Sequence, residues 1–227
     1  MKLLLTSGGI TNDSIAKSLD QLTGLARSEV KIGFIPTAAN AEPGNKDWYI
    51  RQISDLIKHQ FTWIDFIDFS ASNVAWKGRL EECQVLYVSG GNTFHLLHEV
   101  RKHRFDMWLK EHISQKVYVG TSAGSILMTP TISIAAVEPA DTNDIGLTDL
   151  TGLSYVNFEV SPHTPEFLTH QANEEYAHRS NNPLYALDDN SAIQVIDEKV
   201  TVVSEGEWKE YTKQVPTKFI KPLTSEI

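Results

Sequence analysis

Two observations predict that the chain adopts an α/β fold with a parallel sheet covered on both faces by helices. First, short apolar runs alternate with longer amphipathic stretches through much of the 227 residues, a pattern typical of βαβ units. Second, the pentapeptide Gly120-Thr121-Ser122-Ala123-Gly124 stands between a strand-like run and a segment that can begin a helix. Together they indicate one α/β domain spanning residues 1–227, with chemistry at the end of a strand.

The first half of the chain supplies strands and helices in turn. β-Branched and apolar runs predict strands, and apolar residues recurring every three or four positions predict helices. The predicted strands are 3–5, 30–36, 61–69 and 84–88, and the predicted helices are 12–26, 46–59, 93–102 and 104–114.

The second half begins with the strand before the pentapeptide, at 116–119, and a short helical segment that Pro130 ends. Residues 131–153 are rich in Asp, Thr and Gly and lack helical periodicity, which predicts loops and short strands. Beyond them the sequence predicts a strand at 155–160, a helix at 165–178, strands at 184–187 and 192–196, and a closing hairpin of 200–203 with 208–211.

Composition excludes several classes of protein. The net charge of −9 argues against a nucleic-acid or anionic-membrane partner, and no apolar run approaches membrane-spanning length. The single cysteine, Cys83, excludes an internal disulfide framework. His95 and His98 have helical spacing but no carboxylate or cysteine at companion spacing, so neither a metal nor another cofactor is expected. We expect a cytoplasmic protein, monomeric or homodimeric.

The pentapeptide has the form Gly-x-Ser-x-Gly, which between a strand and a helix is the signature of a nucleophile elbow. The turn is so sharp that the residues flanking the serine must be small, and the serine Oγ then stands clear of the sheet. Ser122 is therefore the predicted nucleophile. The alternative is an ordinary Gly-rich turn between a strand and a helix.

A serine nucleophile needs a base that takes its proton. His163 follows the predicted strand through Ser161-Pro162, and the carboxyl ends of parallel strands form the ligand edge of such sheets. His163 is the preferred base and His170 the second choice. The alternative is a loop histidine hydrated by solvent.

The base in turn needs a carboxylate that orients its ring. Asp188 and Asp189 follow the apolar run at 184–187, at another strand end. Glu138, Asp141 and Asp144, in the loop after the elbow, are rivals. Asp189 is preferred because its position at a strand end matches that of His163.

The oxyanion formed during acyl transfer needs rigid hydrogen-bond donors. One candidate is the backbone N–H of Ala123, the residue after the nucleophile. The other is Gly91 in the turn Gly90-Gly91-Asn92, one strand before the elbow, where glycines expose backbone N–H groups. As a bare motif, Gly-Gly-Asn is often only a tight turn.

Taken together, these segments resemble the peptidase E (α-aspartyl dipeptidase) family of serine peptidases. The resemblance rests on segments 89–94, 121–125, 161–163, 187–190 and 192–195. It implies a three-layer αβα sandwich with a mostly parallel central sheet, akin to class I glutamine amidotransferases. It also implies the triad Ser122, His163 and Asp189. The family often has glutamate where Asp189 stands, so the shorter side chain requires a closer backbone.

The resulting expectation is a serine exopeptidase acting on short peptides, with N-terminal aspartate as a candidate specificity. An acidic substrate needs a cation, for which Arg179 with His170 is the candidate, and Asn92 and Glu138 are further candidate substrate-binding residues. Two alternatives remain: a carboxylesterase or thioesterase with the same triad, and a non-catalytic binding protein of the same fold.

Overall fold

Ten β-strands form two sheets in the computed structural model, which describes residues 1–213. The strands are β1 Lys2–Thr6, β2 Lys31–Ile35, β3 Trp63–Phe66, β4 Val85–Val88, β5 Val117–Thr121, β6 Glu159–Ser161, β7 Leu184–Leu187, β8 Ser191–Ile196, β9 Lys199–Ser204 and β10 Trp208–Tyr211. The helices are α1 Asp13–Thr23, α2 Thr37–Asn40, α3 Asp47–Lys58, α4 Trp76–Glu81, α5 Thr93–Lys102, α6 Phe105–His112, α7 Ala123–Ile126 and α8 His170–Arg179. The predicted domain also included residues 214–227, which lie outside the described residues.

The larger sheet has seven strands in the order β3-β2-β4-β5-β1-β8-β9. The first five are parallel to one another, and β8 and β9 are antiparallel additions beside β1. The mostly parallel central sheet predicted from the sequence is confirmed. Because β4, β5 and β1 are neighbours, the segments that follow them meet at one edge of the sheet.

Helices cover both faces of this sheet, as the side-chain alternation along β1 shows. Leu3 and Leu5 pack into one buried apolar cluster and Leu4 into the other, since successive strand residues point to opposite faces. The first cluster takes in the apolar residues of α4, α5 and α6, and the second those of α1 and α3. This gives the three-layer αβα arrangement.

The smaller sheet was not predicted, and it corrects two expectations. Its order is β10-β7-β6, with β6 parallel to β7 and β10 antiparallel to β7. The strand predicted at 155–160 is β6, and it lies in this sheet rather than the central one. The predicted hairpin of 200–203 with 208–211 is wrong. Asp197 and Glu198 form a two-residue turn with φ of 44° and 73°, which pairs β9 with β8.

Several predicted elements have different bounds. The helix predicted at 165–178 begins only at His170, because the Thr169 side chain accepts a hydrogen bond from the Ala172 N–H and caps it there. The strand predicted at 61–69 is limited to β3, and the helices α2 and α4 were not predicted.

None of the helices within residues 1–213 has the length and apolar character needed to cross a membrane.

Candidate active site

Ser122 occupies a strained turn between β5 and α7. Its φ of 51° and ψ of −112° lie outside the regions that L-residues favour. A Cβ atom on Gly120 would lie 2.6 Å from the carbonyl group of Gly124, and one on Gly124 would lie 2.2 Å from the carbonyl oxygen of Val88. A side chain at either glycine of the motif would clash with the backbone, so both positions require glycine. This geometry is that of a nucleophile elbow.

The Gly-Gly-Asn turn lies directly beside this serine, because β4 pairs with β5. A Cβ atom on Gly90 would lie 3.0 Å from the Cβ of Ser122. Gly91 has a φ of 131°, and a Cβ atom there would lie 2.4 Å from the carbonyl carbon and oxygen of Ala38. Within residues 1–213, the N–H groups of Gly91 and Ala123 donate to no backbone or side-chain acceptor. Both groups belong to the turns that flank Ser122.

His163 and Asp189 form a hydrogen-bonded pair. Nδ1 of His163 lies 2.5 Å from Oδ1 of Asp189. His163 follows β6, and Asp189 follows β7, the neighbouring strand of the smaller sheet. Since Nδ1 faces the carboxylate, the remaining ring nitrogen, Nε2, is the one able to exchange a proton with a nucleophile.

The environment of Asp189 keeps its carboxyl group ionised. Partial burial acts to raise its pKa, but the hydrogen bond and charge of His163, the hydroxyl of Ser7 and the charge of Arg51 all act to lower it. The pKa of Asp189 consequently lies below its ordinary value. Arg51 is an exposed residue of α3, so a cation lies within electrostatic reach of this pair.

The end of β1 fixes both the elbow and the histidine. The Ser122 N–H donates to the carbonyl oxygen of Thr6 over 3.1 Å, and the His163 N–H donates to the Ser7 hydroxyl over 2.7 Å. Consecutive residues thus hold the candidate nucleophile and the candidate base. Sequence reasoning missed Ser7, although a polar residue directly after a buried parallel strand was the available signal.

The loop after the elbow is tied to the start of α5. Asn92 uses its Oδ1 to cap this helix, accepting from the His95 N–H, and its Nδ2 donates to the Thr142 carbonyl oxygen over 2.8 Å. The Asp141 carboxylate accepts from the Thr93 N–H over 2.8 Å. Burial raises the pKa of Asp141 despite that bond. Asn92 and Asp141 therefore anchor the loop.

Comparison with known proteins decides the family of this site. The profile described as Peptidase family S51 matches residues 3–203, which is most of the chain. The chain belongs to peptidase family S51. It is a serine-type peptidase, as the resemblance of its sequence segments to peptidase E implies.

Individual S51 relatives agree with this assignment. The chain is 32% identical over 171 residues to an uncharacterised peptidase of Pasteurella multocida, covering 74% of this chain and 82% of that protein. It is 27% identical over 167 residues to Peptidase E of a Nostoc species, covering 71% of this chain and 64% of that protein. A Listeria monocytogenes crystal structure, assigned provisionally to peptidase E, superposes with a TM-score of 0.77 at 22% identity. It covers 90% of this chain and 98% of that one, and supports the fold.

The remaining candidate residues of this S51 peptidase lie elsewhere. Glu138 and Arg179 line one cavity of about 580 Å³ together with Glu159 and Tyr176, and its lining includes none of Ser122, His163 and Asp189. His170 begins α8, and its Nδ1 lies 3.1 Å from the hydroxyl of Tyr211 on β10.

Proposed function

We propose that this S51 peptidase is a serine exopeptidase that hydrolyses short peptides through Ser122, His163 and Asp189. One observation carries the proposal. The strained elbow serine is anchored to Thr6, the last residue of β1, and the His163–Asp189 pair to Ser7, the next residue. The N–H groups of Gly91 and Ala123, beside Ser122, have no partner within residues 1–213. These are groups that acyl transfer by a serine uses, and they support the proposal.

The chemistry follows from these positions. The Ser122 Oγ forms a bond to the peptide carbonyl carbon while its proton passes to Nε2 of His163. The oxyanion is held by the N–H groups of Gly91 and Ala123. As the tetrahedral intermediate collapses, the C–N bond breaks and the leaving amine takes the proton from His163. Water then attacks the acyl-enzyme, and its proton returns through His163 to Ser122.

Asp189 acts in this scheme without changing its protonation. It accepts the Nδ1–H of His163, keeps Nε2 free to serve as the base, and stabilises the imidazolium that forms. Its lowered pKa is consistent with this role, because it remains a carboxylate throughout the pH range in which a neutral histidine acts as a base.

The test compares Ser122 with Ser125, which lies in α7 directly after the elbow. Ser122→Ala is expected to reduce kcat by roughly 10⁶-fold and to abolish labelling by a fluorophosphonate, because the nucleophile is gone. Ser125→Ala is the control, since the Ser125 hydroxyl is buried and donates to the Thr6 carbonyl oxygen over 2.8 Å. Unchanged dipeptide hydrolysis by pure Ser122→Ala would end the proposal. Labelling at Ser122 with turnover of p-nitrophenyl esters but not dipeptides would replace it by an esterase.

The preference for N-terminal aspartate is part of the same proposal, motivated by the resemblance to peptidase E. Such a substrate needs a cation for its side chain. Arg51 is exposed within electrostatic reach of Asp189, and Arg179 lines the separate cavity. Replacing each by methionine and comparing KM for Asp-Leu and Ala-Leu identifies the anchor. Equal wild-type activity on both peptides would remove the aspartate preference.

A further inference from the structure

Ser7 closes a ring of three hydrogen bonds around the His163–Asp189 pair. The His163 N–H donates to the Ser7 Oγ over 2.7 Å, and the Ser7 hydroxyl donates to Oδ1 of Asp189 over 2.9 Å. The contact between Nδ1 of His163 and the same Oδ1 completes the ring. One hydroxyl group therefore touches both the backbone of the base and the side chain of the acid.

The directions of these bonds are fixed by chemistry. A backbone N–H can only donate, so Ser7 must accept from His163 and has its single proton left for the carboxylate. Ser7 itself is fully buried at the end of β1, and its own N–H donates to the Ser191 carbonyl oxygen over 3.2 Å. The hydroxyl is consequently held in place before any substrate arrives.

Both partners of Ser7 need such support. His163 has a φ of 57°, a left-handed conformation that is unfavourable for a residue with a side chain. The side chain of Asp189 is 58% exposed and would otherwise be free to rotate into solvent.

The next residue, Gly8, allows the backbone of the acid to come close. A Cβ atom on Gly8 would lie 2.8 Å from the Asp189 carbonyl oxygen and 3.0 Å from the Asp189 Cβ. The side chain of aspartate is shorter than that of the glutamate often found at this position in the family. The close approach at Gly8 brings the Asp189 backbone nearer to His163 and so makes up for the shorter side chain.

We propose that Ser7 is a positioning residue for the peptidase reaction. Its one hydroxyl group fixes the position of the His163 ring relative to the carboxylate of Asp189. This inference rests on the proposed function, because it assigns those two residues as base and acid. Ser7 does not touch the substrate. Its effect is on the turnover step, where the imidazolium forms, and not on substrate binding.

The main experiment is Ser7→Ala, with Ser18→Ala as the matched control. Ser18 is also a buried serine with a side-chain partner, since its hydroxyl accepts from Nε2 of Gln194 over 2.8 Å. We expect Ser7→Ala to lower kcat by roughly 10- to 100-fold with KM unchanged, the factor expected for losing a hydrogen bond to a charged group. Ser18→Ala should leave kcat unchanged. Equal losses of kcat and thermal stability in both variants would reduce Ser7 to a structural role and overturn the inference.

Two further measurements separate positioning from general damage. The Nδ1 proton of His163 should give a far-downfield NMR resonance that shifts or broadens in Ser7→Ala but not in Ser18→Ala. In an Asp189→Asn background, Ser7→Ala should cost less than it does alone, because the Ser7 hydroxyl then donates to a neutral amide oxygen instead of a carboxylate. Full additivity together with an unchanged resonance would refute the proposal. Because the resonance is measured in the resting protein, it tests Ser7 even if Ser122→Ala shows the proposed function to be wrong.

Discussion

Replacing Asp189 by asparagine isolates the charge of the acid from its geometry. Both donors to this side chain, the His163 ring and the Ser7 hydroxyl, converge on Oδ1. An asparagine can place its own Oδ1 there and keep both hydrogen bonds. What the variant loses is the negative charge opposite the imidazolium that forms when His163 takes the proton of Ser122.

The size of that loss can be worked from the separation of the charges. Two unit charges about 4 Å apart interact with about 4 kcal/mol at an effective dielectric of about 20. The Asp189 side chain is 58% exposed, so water screens part of this interaction. We therefore expect a loss of about 2 to 3 kcal/mol, which corresponds to a decrease in kcat of roughly 30- to 150-fold. This is far less than the effect expected of Ser122→Ala.

The assay is kcat for a dipeptide at saturating concentration, with Asp141→Asn as the control. Asp141 is an aspartate close enough for the charge of His163 to act on its pKa, but its carboxylate accepts from the Thr93 N–H instead of the histidine ring. Asp141→Asn should keep kcat within about twofold of the wild type, a change of less than about 0.5 kcal/mol. The assignment of the acid fails if Asp189→Asn is as active as the wild type, or if Asp141→Asn loses more activity.

Two other substitutions test the Gly-Gly-Asn turn and the buried carboxylate of Asp141. Gly91→Ala should lower kcat by roughly 100-fold or more, as loss of an oxyanion donor does, because its Cβ would lie 2.4 Å from the Ala38 carbonyl group. Gly44→Ala, at a φ of 84° with open space around it, should change only the melting temperature, and equal kinetics for the two variants would contradict this reasoning. Asp141→Asn should raise thermal stability at pH 7. In the wild type, burial raises the pKa of Asp141. The wild-type folded state therefore loses stability as pH rises from the unfolded pKa of about 3.9 through the folded pKa. The gain should vanish near pH 3, and a constant gain at all pH values would show that the charge is not its cause.

The elbow could be predicted from the sequence because its causes are local. The strand β5, the two glycines and the short α7 lie within ten consecutive residues of each other, and each has a steric role that residue type alone reveals. The Gly-Gly-Asn turn was predictable for the same reason, since β4 and β5 are successive strands joined by helices. The parallel pairing of β4 with β5 fits the βαβ pattern, whereas the position of β1 beside β5 does not follow from it.

The smaller sheet could not be predicted, because its pairings are not local. The run at 155–160 predicts one more central strand, yet within residues 1–213 β6 pairs with β7 alone, in a separate sheet. The turn at Asp197 and Glu198, where both residues adopt positive φ, pairs β9 with β8, and β10 pairs with β7 instead of β9. Asn-Gly or Asp-Gly would have signalled such a turn, whereas Asp-Glu does not.

The nucleophile and its partners come from different parts of the fold, which is consistent with the positioning role proposed for Ser7. The elbow is part of the central sheet, His163 follows β6 of the smaller sheet, and Asp189 lies in the turn that joins β7 of the smaller sheet to β8 of the central one. Catalysis is sensitive to misplacements of about 1 Å, so groups that come from two sheets must be held together closely. Bonds from the end of β1 to Ser122 and His163, and from Ser7 to Asp189, join the two units where the chemistry occurs. The proposal therefore places the precision of the site in a residue that no catalytic motif contains.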